Sequence, residues 1–308
     1  MDNERIIIAC FDLQKVLQCA RGEVSSYCYK SKLHCYNLSI YNCNTCEEIC
    51  YMWHAGTAKR GSSEIKRLES CVYSFIVSKV EKRAKEFIFI SDDCGGQNKN
   101  KNLVSLYLHW ASKFKIVITH MYLETGYKQN QNDSVHTVIK RFAKNQTVYV
   151  PSQWFQIAKI ACLKSPYKVK EMEISDFYDL DKVCRETSDN FNVDINWVKV
   201  NFTEIRVSKV DYTLPDMISA RNSWAAEDIK VIETIRRSRR GKLQRRSQLG
   251  RTICKSCILV QFQFAKDCTA IFKIFVKKNL IPEAYHQFFR DLPFDCLKEG
   301  SVELDDSD

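Results

Sequence analysis

The sequence has no run of about 18 consecutive apolar residues, so neither a membrane-spanning helix nor a membrane partner is expected. Its opening, MDNERIIIACFDL, has an apolar stretch too short, and too soon interrupted by Asp12, to read as a secretory signal. Glycine-rich phosphate cradles are missing as well. In SDDCGGQNKN, residues 91–100, no Lys-Ser or Lys-Thr follows the glycines, which excludes a P-loop, and the GxGxxG spacing is absent. A zinc ribbon would need two CxxC knuckles within roughly 15–20 residues. Cys43-Asn-Thr-Cys46, with Cys50 nearby, and Cys254-Lys-Ser-Cys257 are far apart, so buried or idle thiols are expected and no zinc.

What is present points elsewhere. The 308 residues suffice for one large domain or two small ones, and a 45% hydrophobic content supplies a core. Lys and Arg number 47 against 37 Asp and Glu, a formal charge of +10 that favours a polyanionic partner. Fifteen cysteines, an odd number scattered from Cys10 to Cys296, read as reduced thiols of the cytosol or nucleus. Without a secretory route the sequons at Asn37, Asn145 and Asn201 carry no meaning.

Periodicity predicts a strand over residues 5–17, a half-exposed strand over 26–42, and a short apolar piece over 49–53. A helix follows over 62–83, with Ile65, Leu68, Val72, Phe75, Ile76 and Val80 on one stripe. EFIFI, 86–90, reads as a central strand buried on both faces. Then come a helix over 100–114, a strand over 115–123, a polar loop TGYKQNQND over 125–133, a helix over 133–145, and another helix after Pro151. Strand-like pieces are expected at 194–200 and 203–210. The element order predicts an α/β fold, a mixed sheet with helices on its faces. It is also the order of the ribonuclease H-like fold. The expected division is a core over 1–150, a helical and strand extension over 151–215, a basic linker over 216–270, a C-terminal helical segment over 271–300 and an acidic disordered tail over 301–308. The part beyond the core reads as a less regular α+β extension.

Sites in open α/β sheets gather outside the carboxyl ends of strands. Asp12 ends the first strand, Asp92 lies just past EFIFI, and Asp133 begins a helix. Three such acids suit phosphodiester cleavage or strand transfer assisted by magnesium, or manganese, because hard cations take carboxylate oxygens. The plainer alternatives are an N-cap for Asp133 and a turn for Asp92 and Asp93. The glycines of SDDCGGQNKN would let the backbone turn beside Asp92, with Gln97, Asn98 and Lys99 touching nucleic acid or capping the next helix.

FDLQ (11–14), YKSKLHCYNLSIYNCNTC (29–46), SDDCGGQNKN (91–100), TGYKQNQNDSVHTVIK (125–140) and NLIPEAYHQFF (279–289) together resemble a family of transposon-derived animal proteins with a ribonuclease H-like, transposase-type core. The resemblance implies a relic or domesticated transposase or integrase, with Asp12, Asp92 and Asp133 as its acids. Two departures stand out. Tyr127 follows Gly126 where family members have histidine, and Lys140 stands where they often have glutamate. If that glutamate is the third acid, this copy is inactive; if Asp133 is, the triad survives. Relatives carry an upstream Cys/His region, so a truncated copy is expected.

RRSRRGKLQRRSQLGR, 236–251, holds eight Lys or Arg in sixteen residues, among them Arg236, Arg237, Arg239, Arg240, Arg245 and Arg246. It reads as a nuclear localisation signal or a phosphate-binding arm, or as a solvated linker. Three functions follow: a metal-dependent DNA strand-cleaving or strand-joining enzyme of the nucleus, a non-catalytic nucleic-acid-binding module of the same fold, or a protein-interaction scaffold. Transposases act as multimers, so an oligomer is compatible with the first.

Overall fold

A computed structural model describes residues 5–22, 33–55, 57, 62–95, 97–123, 131–178, 180, 183–184, 190–225, 228–234 and 280–291. The strands are β1 (Ile6–Leu13), β2 (Leu17–Cys19), β3 (Leu33–Asn42), β4 (Glu47–His54), β5 (Glu86–Ser91), β6 (Val117–Tyr122), β7 (Lys168–Glu171), β8 (Val207–Asp211), β9 (Met217–Arg221) and β10 (Lys230–Glu233). The helices are α1 (Ser62–Val80), α2 (Lys101–Phe114), α3 (Gln131–Phe142), α4 (Pro151–Ile160) and the short α5 (His286–Arg290). All ten strands form one mixed sheet in the order β10-β9-β8-β6-β5-β1-β3-β4-β7, with β2 pairing with β3. β1, β5 and β6 run parallel; β3 is antiparallel to β1 and β4 to β3. The fold is therefore α/β, a mixed sheet flanked by helices, as the alternating pattern predicts.

Alternation along β1 divides its two faces. Ile7, Ala9 and Phe11 are buried on one side, where Phe11 meets Phe89 of β5 with ring centroids 5.8 Å apart. Phe89 also packs on Phe75 of α1 and stacks on Tyr107 of α2. Burial of each such aromatic is worth roughly 1.5–3 kcal/mol. The expected stripe of α1 is that contact: Leu68, Val72, Phe75 and Ile76 are buried. Asn100 caps α2 by accepting from the Leu103 N–H at 2.7 Å. On the opposite face α3 and α4 cover β1, β3 and β4, burying Val135, Ile139, Trp154 and Ile157.

Several expectations change. The first strand stops at Leu13, and β2 is a separate piece. β3 is buried on both faces rather than half-exposed, because α3 and α4 cover its polar side. Residues 26–32 lie outside the described residues. On β5, one face is sealed and the other, with Ile88 and Ile90, is half-buried. Residues 194–200 are no strand. Asp194 accepts from the N–H groups of Asn196 and Val198 at 2.8 Å each, folding a tight turn with Trp197 at φ 63°. β7 was not expected, and β9 and β10 lie where a basic linker was expected; they extend the main sheet beyond β8. The C-terminal helical segment reduces, among described residues, to a 3-10 turn at Glu283–Tyr285 and α5.

Candidate metal centre

Because β1, β5 and β6 are parallel, their carboxyl ends lie at one edge of the sheet. Asp12 is the penultimate residue of β1, Asp92 the first after β5, and Asp133 sits in the first turn of α3, reached from β6. Polar clamps fix α3 against β1. The Asn132 oxygen, turned toward β1, accepts from the backbone N–H groups of Phe11 and Asp12 at 3.2 Å each. Gln14 donates to the carbonyl of His136 at 3.2 Å and accepts from Asn37 at 3.0 Å. The Asp and Gln of FDLQ thus divide the work: one faces the cluster, the other holds the helix.

The result is a group of three. One ligand atom each of Asp12, Asp133 and His136 lies within 4.8 Å of the others. His136 Nδ1 is 3.6 Å from Asp12 Oδ2, and its Nε2 is 2.6 Å from the Ser39 hydroxyl. The longer contact exceeds a good hydrogen bond. Neighbouring donors around one ion with bonds near 2.0–2.2 Å sit about 3.0–3.4 Å apart, so a small adjustment places both on a cation. The Ser39 contact gives the other ring nitrogen a partner, which holds the ring's orientation.

Electrostatics point the same way. Burial, then the charges of Asp92 and Asp133, push the Asp12 carboxyl up to about 7. Burial holds His136 down to about 3, so the ring is neutral at pH 7, as a ligand must be. Crowded carboxylates are costly until a cation neutralises them. These residues can therefore hold a metal. Two carboxylates and an imidazole admit manganese, iron, cobalt or zinc, and suit magnesium less well than an all-oxygen set. The expected magnesium rests on carboxylates alone and the expected absence of zinc on the cysteine spacing; the ring of His136 entered neither.

Asp92 stands outside the group of three, although its charge reaches Asp12. Asn98, wholly buried, donates to Asp92 Oδ1, and the Cys94 N–H donates to the same atom at 3.3 Å. Asp93 pairs with Lys99 at 2.7 Å and with Arg206. Lys99 is buried and also donates to the Thr203 carbonyl. Asn98 and Lys99, expected to touch nucleic acid or cap the next helix, are internal partners of the two aspartates, and the cap of α2 is Asn100. Gln97 is half-buried, its carbonyl accepting from Asn100 at 2.7 Å. A side chain on Gly95 would meet nothing within 4 Å, so packing does not demand glycine there. Arg236, Arg237, Arg239, Arg240, Arg245, Arg246, Tyr127 and the Cys254/Cys257 pair lie outside the described residues. Asp133 is three residues into α3, so it is not the helix N-cap.

Replacing Asn98 by Ala removes a buried donor and leaves Asp92 short of a partner. A loss of about 1–3 kcal/mol is expected, read as a lower denaturation midpoint at an unchanged m-value. An unaltered midpoint would show that Asn98 does not hold Asp92.

The profile of a family described as "Domain of unknown function (DUF8701)" matches residues 19–205, more than half of the chain. The matched span contains Asp92, Asp133 and His136; Asp12 precedes it. No curated protein and no solved structure matches.

Proposed function

The chain belongs to this family of unknown function, and from its site we propose that it is a metal-dependent enzyme that cleaves or joins DNA strands, built on a ribonuclease H-like core of transposase origin. The observation that carries the reading is the convergence of Asp12, Asp133 and His136, within 4.8 Å of one another, at the carboxyl edge of the sheet. The strand and helix order of the first 142 residues, with β2 as a short addition, supports the fold assignment. The net charge of +10 supports a polyanionic substrate and a nuclear location.

Asp12, Asp133 and His136 would hold a divalent cation, manganese or magnesium. When bound, such a cation supplies Lewis-acid stabilisation of charge on a phosphoryl oxygen. Asp12 and Asp133 would fix the position of that cation relative to the sheet edge. Asp92, kept in place by Asn98, accepts the proton of the attacking water or 3′-hydroxyl. Ser39 keeps the His136 ring from rotating out of the cluster, and Gln14 holds the His136 backbone against β1.

A second reading rests on Lys140. It stands where the resembling family often has glutamate, and its positive charge reaches Asp12 and lowers that carboxyl's proton affinity. A cation at that position favours a nucleic-acid-binding protein that has lost cleavage. Plasmid nicking by the full chain in Mg²⁺ or Mn²⁺ separates the two. Cleavage abolished by EDTA supports the enzyme. Salt-sensitive DNA binding without cleavage in either cation leaves the second reading, and absence of binding at low salt removes both.

A further inference from the structure

Next to this site, and independent of its proposed activity, two thiols face each other. Cys10 lies in β1, on the face that carries Asp12; Cys43 follows the last residue of β3. Their sulfurs are 3.8 Å apart. Backbone contacts set this separation. The Cys43 N–H donates to the Ile8 carbonyl at 2.8 Å, the Ile8 N–H donates to Asn44 Oδ1 at 2.7 Å, and the Asn44 N–H donates to Asn42 Oδ1 at 3.0 Å. The β3–β4 turn is therefore latched to β1; Cys10 is opposite Tyr41 and Cys43 lies beside Ile8, so the thiols meet on a diagonal between the strands. Cys10 is buried and Cys43 half-buried, so one sulfur is open to small molecules and the other is shielded behind it.

We propose that Cys10 and Cys43 form a redox-active dithiol, a modification site that hydroperoxides convert to a disulfide. The Cys43 thiolate attacks a peroxide oxygen of ROOH. The O–O bond breaks, ROH leaves after gaining a proton, and Cys43 becomes a sulfenic acid. Cys10 sulfur then attacks Cys43 sulfur; the S–S bond forms, and hydroxide leaves with the Cys10 proton as water. Two thiols and one ROOH give one disulfide, ROH and water, the sulfurs losing two electrons and the peroxide gaining them. Bond formation brings the sulfurs from 3.8 Å to about 2.05 Å.

The local chemistry favours Cys43 as the attacking sulfur. Cys43 is the more exposed of the two sulfurs, and contact with Cys10 lowers its thiol to about 7. Burial raises Cys50 and Cys71, and burial together with neighbouring aspartates raises Cys94. By thiolate fraction, Cys43 is expected to react about tenfold faster at pH 7 than an unperturbed thiol.

The test treats the reduced full chain with hydrogen peroxide and maps peptides under non-reducing conditions. A link between the peptide holding Cys10 and Cys43 itself is expected. In Cys10→Ser, dimedone is expected to trap a sulfenic acid on Cys43. Oxidation of the exposed Cys46 with no link between Cys10 and Cys43 would overturn the proposal. So would a stoichiometric zinc ion in the untreated protein that Cys43→Ser releases, because the pair would then be a thiolate metal site. The wild-type map stands even where a variant fails to fold.

Discussion

Asp12→Asn is expected to reduce divalent-cation-dependent nicking by on the order of 10³-fold, because removing one charged ligand forfeits several kcal/mol of transition-state stabilisation. The same variant is expected to be more stable than the wild type without metal. In the folded chain the Asp12 carboxyl titrates near 7 rather than near its ordinary 3.8. A raised carboxyl binds its proton more tightly when folded, so its contribution to stability is full below about pH 4 and lost as pH rises to about 7. Above pH 7 the wild type carries an ionised, crowded carboxylate, which the neutral amide of the variant replaces. A gain of about 2–4 kcal/mol is expected at pH 8, shrinking to nothing near pH 4. Added Mn²⁺ should raise the wild-type melting temperature and leave the variant unmoved. The pairing of outcomes is diagnostic. A purely structural carboxylate would give no metal-induced shift in either protein, and undiminished nicking by Asp12→Asn would remove the catalytic reading.

The sequence made two of the three cluster members legible and hid the third. Asp12 and Asp133 stood out because sites of open α/β sheets gather beyond the carboxyl ends of strands, even though a cap alone would account for an Asp at a helix start. His136 follows Asp133 by three residues, which places both on one helical face. That spacing was readable once α3 was drawn, but nothing in it required the ring to face β1 rather than solvent. The clamp by Asn132 and Gln14 decides the matter, and it depends on contacts between distant segments. The same limit explains the polar run after Asp93. Gln97, Asn98 and Lys99 look like surface residues until each is matched to a partner. Asn98 and Lys99 instead fill the hydrogen-bonding needs of two adjacent carboxylates. Local pattern also failed for β7, β9 and β10. KVKE, MISAR and KVIE are short and interleaved with charge, so only pairing to a neighbouring strand defines them. At 194–200 a β-like sequence lost to a side chain: Asp194 captures two backbone donors and turns the chain.

Glu48→Gln is expected to stabilise the protein strongly at alkaline pH. Glu48 lies in β4 opposite Tyr41 and is 6% exposed, with neither carboxylate oxygen hydrogen-bonded to a well-placed donor. Burial pushes its carboxyl up to about 8 from an ordinary 4.5; proximity to the Ser39 hydroxyl opposes that shift and the charge of Cys43 adds to it. The sign follows as for Asp12. The folded state holds the proton more tightly than the unfolded chain, so stability is full below about pH 4.5 and falls as pH rises to about 8. A neutral Gln at this position removes that loss. The expected gain is about 3–4 kcal/mol at pH 8, enough to raise the melting temperature by roughly 5–15 °C, and it should vanish below pH 4.5. His120 and His136 act in the opposite sense. Burial lowers both to about 3, so protons taken up by the unfolded chain draw stability away as pH falls below 6.5. The wild type should consequently lose stability toward both acid and alkali, and Glu48→Gln should flatten only the alkaline side. Equal wild-type and variant stability at pH 8 would show that water or a moved side chain already satisfies Glu48. Because Glu48 is not among the three residues of the cluster, the substitution should leave the Mn²⁺-induced melting shift in place. That separates a buried carboxyl that burdens the fold from one that a cation relieves.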